Sequence, residues 1–235
     1  AVGGITRLTD SGLSMVDWKP IFGVIPPLSD ADWESEFSNY KSFPEFQKIN
    51  SSMDIAGFKR IYFWEYLHRI IGRIIGLYFF LPLIYLLIRR KINRKEFLKN
   101  TMLIFLVGIQ GILGWYMVKS GLVNSPHVSH FRLMTHFFAA MILIGYCYYL
   151  YLDKKEKHPY SINISNMHLR VFSFILLLQI MYGTFVAGLN AGYAYNTFPL
   201  MSGKIIPYEL FSGHSLLGNL FLSPIIWYNS FKIYL

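Results

Sequence analysis

FWEYLHRIIGRIIG, Phe63 to Gly76, sets a glutamate, a histidine and two arginines at the mouth of a long apolar run. Ionisable groups are costly in a bilayer and, where they occur, face a bundle interior or mark a functional path. The run continues as LYFFLPLIYLLI to Ile88, which exceeds the roughly 20 residues one crossing needs. The stretch therefore predicts a membrane helix with a polar cluster at one end.

The rest of the chain agrees. Apolar stretches at about 62–88, 101–118, 131–152, 169–189 and 214–235 are predicted as five spans, giving an all-α integral membrane protein, a helical bundle. The 235 residues are 54% hydrophobic and only 15% charged, and the mean hydropathy of +0.37 lies above that of an ordinary soluble domain. A net charge of +9 raises the question of nucleic acid. The basic residues, however, concentrate at Arg89 to Lys99 and Lys154 to Lys157, between apolar runs. That is a topology signal, so no nucleic-acid partner is expected. Cys147 is the only cysteine, which excludes an intrachain disulfide and a cysteine-based metal site.

Both basic linkers belong on the cytoplasmic or matrix side. Residues 1–60, 119–130 and 190–213 then face the periplasm or intermembrane space, and the protein is expected in a bacterial or mitochondrial inner membrane. WKPIFGVIPPLSDADWESEF mixes aromatics, prolines and acids and is expected as an ordered loop with aromatic anchors on the membrane surface. The chain opens on AVGGITRLTDSGLS and closes on FKIYL directly after an apolar run, so it is expected to be a piece of a longer protein, truncated at both ends.

Short motifs recur. RL-TDSG, WKP and GVIP are followed after the fourth span by GL-NAG, TFP and GKIIP, and Gln110-x3-Gly114 recurs as Gln179-x3-Gly183. A true duplication implies one four-helix bundle whose first helix lies before Ala1, plus part of a second, pseudo-symmetric bundle. Chance recurrence is the other reading. The halves are placed at 1–152, with the external segment 1–60, and at 153–235.

Of seven histidines, His68 and His136 alone sit inside the first four spans, near their outer ends. Each lies five to seven residues into its span, roughly 8–10 Å along the helix, so the two share one depth. With no cysteine or second carboxylate nearby, a pair of imidazoles suits haem iron better than zinc or a di-iron centre. His68, Gly72 and Gly76 fall on one face at i, i+4 and i+8, where the glycines leave room for a flat macrocycle; His136 is followed by Ala139 and Ala140. Close helix packing, with the histidines bonding between helices, accounts for the same pattern. Arg69 and Arg73 suit haem propionates, or snorkel, and Arg69 also suits an ion pair with Glu65 at i+4. Glu65, one turn before His68, suits an acid or base at a haem edge. His127 and His130 are expected to be solvated.

EYLHRIIGRIIG, with GGITRLTDSGLS, WKPIFGVIPP, QGILGWYMVKSGL, VSHFRLMTH and NTFPLMSG, resembles the haem A synthase family over about residues 2–207, in particular its cysteine-lacking mitochondrial and proteobacterial class. The resemblance implies two similar four-helix bundles and conversion of haem O to haem A, by oxidation of a ring methyl to a formyl group, for cytochrome c oxidase. It maps the family's first histidine pair, the metal ligands, onto His68 and His136, and its site glutamate onto Glu65. It implies haem O as substrate, membrane lipid as surroundings, haem O synthase or oxidase assembly proteins as partners, and a homo-oligomer as an option. It also implies a haem b in the second bundle. There the family pattern continues with Gln-Phe-x-His-Arg, whereas this chain has Phe231 and Lys232 at the best register, so haem b binding is in doubt. The alternatives are a b-type electron-transfer subunit, which has no use for Glu65, and a non-haem assembly factor.

Overall fold

The computed structural model describes residues 2–18, 22–123, 126–155, 165–189, 200 and 203–204. The fifth predicted span, His214, Phe231 and Lys232 lie outside the described residues, as does most of the second copy of the repeated motifs.

Every regular element among the described residues is helical. Four helices are long and apolar enough to cross a membrane: α4 (Ile55–Ile88), α5 (Arg94–Gly121), α6 (His130–Lys154) and α7 (Asn166–Gly188). They correspond to the first four predicted spans. At most 6% of any apolar window is buried inside the protein, so the hydrophobic surface is turned outward, as expected where lipid is the solvent.

The helices overrun the apolar runs that revealed them. α4 begins seven residues before the predicted start, where Asp54 caps it by accepting from Gly57 N at 2.7 Å. At 1.5 Å per residue its 34 residues extend about 50 Å, well beyond the hydrocarbon layer. α5 likewise starts at its Asn93 cap, which accepts from Glu96 N at 2.9 Å. Charged residues hid these turns from a hydropathy reading, but a cap and not polarity sets where a helix starts.

The segment before α4, of which residues 18–37 are expected as an ordered loop, holds among its described residues three α-helices, α1 (Val2–Leu8), α2 (Asp30–Lys41) and α3 (Pro44–Lys48), and a short 3-10 helix, Phe22–Val24. Ser29 and Asp32 form a reciprocal capping box on α2, and Pro44 opens α3 where its missing N–H is harmless. These helices bury an aromatic core against the overhanging start of α4. Phe58 stacks between Phe37 at 5.1 Å and Tyr40 at 5.2 Å, and Tyr62 meets Trp33 edge-on at 5.1 Å.

The chain packs as two compact units, 1–129 with 139–154, and 130–138 with 155–235. In the first, Lys99 pairs with Asp153 and Lys154 with Glu96, joining the start of α5 to the end of α6. In the second, Phe131 meets Phe185 of α7 at 5.3 Å, and a Cβ added at Gly188 would lie 2.8 Å from His130 Cβ, so glycine is what lets α7 approach so closely. His130 is therefore packed against α7 and not simply solvated; His127 is exposed.

Candidate functional site

Glu65, His68, Arg69, Gly72, Arg73 and Gly76 all lie on α4 in the first unit, and His136 on the part of α6 that belongs to the second. Glu65 is only 2% exposed, which is unusual for a carboxylate and requires partners. It has three. Arg69 Nη2 donates to Oε1 at 2.5 Å, and Ser14 Oγ and Met15 N each donate to Oε2 at 2.8 Å. The ion pair between Glu65 and Arg69 is thus present, as one of the sequence readings had it.

It is also part of something larger. Arg69 turns its remaining N–H groups to backbone, donating to Met15 O at 2.7 Å and Asp17 O at 3.2 Å. Both backbone groups of Met15 are read by one acid and one base a helical turn apart. Residues 11–17 form a strap fixed across the outer turns of α4, with Ser11 and Ser14 fully buried. The strap's other side rests on α5: a Cβ at Gly121 would stand 2.7 Å from the Leu13 methyl groups, and Trp18 lies 5.5 Å from Trp115.

His68 lies between these anchors in sequence and is half-buried. Its ring is approached by α1. A Cβ at Gly3 would lie 3.1 Å from Cε1 and 3.7 Å from each ring nitrogen, so a larger residue would press on the imidazole. Thr6 Oγ1 ties α1 to the same stretch of α4 through Trp64 O at 3.4 Å. Gly72, one turn after His68, is exposed, and a Cβ there would meet no heavy atom within 4 Å. That open space beside a half-buried imidazole fits a flat, largely apolar group. Gly76 lies instead against Val107 of α5, with 3.9 Å to an added Cβ. Arg73 and His136 are half-buried.

A second buried carboxyl, Glu45, lies beside the aromatic core. Tyr40 donates to Glu45 Oε2 at 2.9 Å and Asn50 Nδ2 donates to Tyr40 at 2.8 Å. Burial pushes Glu45 up to about 7, with the negative charges of Glu65 and Asp10 adding to the effect, and burial likewise raises Tyr40.

Sequence reasoning missed Gly3, Ser14 and Met15. The signal for them was present in TRLTDSGLSM, but a contact made through backbone groups leaves little trace in side-chain chemistry.

The family model described as "Cytochrome oxidase assembly protein" matches residues 1–227. Among curated relatives, a protein named Heme A synthase from Nitrosospira multiformis is 44% identical over 98% of this chain and 63% of its own length. One of the same name from Flavobacterium psychrophilum is 51% identical over 86% of this chain and 60% of its own. A third, from Wolbachia pipientis wMel, is 43% identical over 98% and 64%. This chain therefore spans less than two thirds of the length of these relatives. No solved structure matches. With its match running from residue 1 through the four membrane-length helices of the described residues, the chain belongs to the cytochrome oxidase assembly protein family.

Proposed function

We propose that this chain carries the haem O site of a haem A synthase, an oxidoreductase that converts a ring methyl of haem O to the formyl group of haem A. The observation that carries this reading is its similarity, over most of its length, to proteins named Heme A synthase. The half-buried His68 beside the open face at Gly72 supports it.

In this reading His68 and His136 would hold the iron of the substrate haem, with the open face at Gly72 leaving room for the macrocycle, whereas Gly76 packs against Val107 of α5. Arg73 would face the propionates, and Arg69, whose terminal nitrogens are taken by Glu65, Met15 and Asp17, would hold the strap beside them. Haem O enters laterally from the bilayer, which suits a long isoprenoid tail. Converting the methyl to the formyl group removes four electrons and four protons and takes its oxygen from one water; an external electron acceptor receives the electrons. Glu65 takes protons as they leave. The two donors on Oε2, the Ser14 hydroxyl and the Met15 N–H, are neutral and easier to exchange than the charged Arg69 donor on Oε1, so Oε2 is the oxygen assigned to proton transfer.

The wider assignment follows the same reading. Residues 1–60 lie on the periplasmic or intermembrane side of an inner membrane. Segments 1–152 and 153–235 belong to two related bundles, and partners are sought among haem O synthase and oxidase assembly proteins, or in a second copy of the chain.

The test is haem extraction and mass analysis of membranes that contain the full-length protein and a haem O source. A formyl-bearing haem supports the synthase. Haem b alone indicates an electron carrier, and no haem indicates an assembly scaffold.

A further inference from the structure

The α4–α5 turn carries more positive charge than the protein uses. Lys99 and Lys154 are committed to Asp153 and Glu96. Arg89, Arg90, Lys91, Arg94 and Lys95 have no hydrogen-bond or ion-pair partner for their side chains among the described residues. Beside them lies a pocket of about 440 Å³, whose lining sets three lysines, Lys95, Lys99 and Lys154, against two acids, Glu96 and Asp153.

Arg90 is the informative residue. It follows the α4 C-cap with φ +50, in the left-handed region, while Arg90 N donates to Leu87 O and Lys91 N to Leu86 O, each at 3.0 Å. This pair of bonds closes a helix in the arrangement that favours glycine at the position Arg90 holds, because a Cβ is strained there. Among the described residues the guanidinium makes no hydrogen bond or ion pair. It stands at the end of a membrane helix, where Ile88 is 76% and Leu98 57% exposed.

We propose that the α4–α5 turn and the adjoining pocket seat the headgroup of an anionic phospholipid. Arg90, with Arg89, Arg94 and Lys95, takes the phosphate, for which a guanidinium supplies paired donors. The acyl chains lie along the exposed apolar side chains of Ile88 and Leu98. The proposal needs only that the helices are in a membrane and is independent of the haem reading.

The test uses the full-length protein in nanodiscs of phosphatidylcholine, with and without phosphatidylglycerol. Phosphatidylglycerol should raise the melting temperature of the wild type. Arg90→Gly, which relieves the left-handed strain, should melt at or above the wild type in phosphatidylcholine and yet lose most of the phosphatidylglycerol increment. Titrated in detergent, it should bind phosphatidylglycerol about fivefold more weakly, the effect of one basic side chain near a charged headgroup. Arg94→Gln with Lys95→Gln should weaken binding further. The proposal is overturned by a full increment in Arg90→Gly, by no increment in the wild type, or by inorganic phosphate giving the same shift in phosphatidylcholine alone.

Discussion

The Ser14 hydroxyl and the Glu65 carboxylate meet at 2.8 Å across 51 positions of sequence, both out of contact with solvent. The acid that looks out of place in a membrane helix is thus the anchor of the strap formed by residues 11–17. Its burial is compensated by one cation, one hydroxyl and one backbone N–H, the condition under which a buried carboxylate is tolerated.

Removing that hydroxyl should be costly. Ser14→Ala takes away a buried hydrogen bond to a charged group, worth roughly 1.5–3 kcal/mol, and should lower the melting temperature of the detergent-solubilised full-length protein. In a Glu65→Ala background the same change should cost much less, because the partner is already gone. Additive losses would mean that the contact contributes nothing to the strap.

Gly3 sets the place of the His68 ring. In the proposed haem site, Gly3→Leu should shift the absorption bands of the haem and lower its stoichiometry, because the added side chain starts 3.1 Å from Cε1. Gly4→Ala is the control, since its Cβ meets nothing within 4 Å. Unchanged spectra in the Gly3 variant would separate α1 from the ligand.

Glu45 should make the helical segment before α4 sensitive to pH. Its folded pKa is raised from 4.5 to about 7, so the folded state keeps a proton that the unfolded chain releases between those values. Stability should therefore fall as pH rises from about 4.5 to 7 and level off above, with a swing of roughly 3 kcal/mol if the whole shift is expressed. Hydrogen exchange of the amides in α2 and α3 across this range reads the effect, and Glu45→Gln should flatten it. A protection profile independent of pH in the wild type would contradict the assignment.

The membrane class and the four helices were legible in the sequence because apolar length and basic linkers report them directly. Helix starts were not: the first turns of α4 and α5 carry Lys59, Arg60, Arg94 and Lys95 and read as loop until Asp54 and Asn93 are seen as caps. The spacing of Glu65 and Arg69 made an ion pair readable, since both lie on one helix. Their hold on Ser14, Met15 and Asp17 was not readable, because it joins distant segments through backbone atoms. Close approaches at Gly3, Gly121 and Gly188 were invisible for a related reason: a glycine in the sequence does not say what lies against it.

The role given to Glu65 is tested most directly by mass analysis of haem from full-length Glu65→Ala and Ser14→Ala proteins expressed with a haem O source. Glu65→Ala should retain haem O and form no haem A, whereas Ser14→Ala, with a loosened strap but an intact carboxyl, should still form it. Haem A made at the wild-type rate by Glu65→Ala would contradict the account.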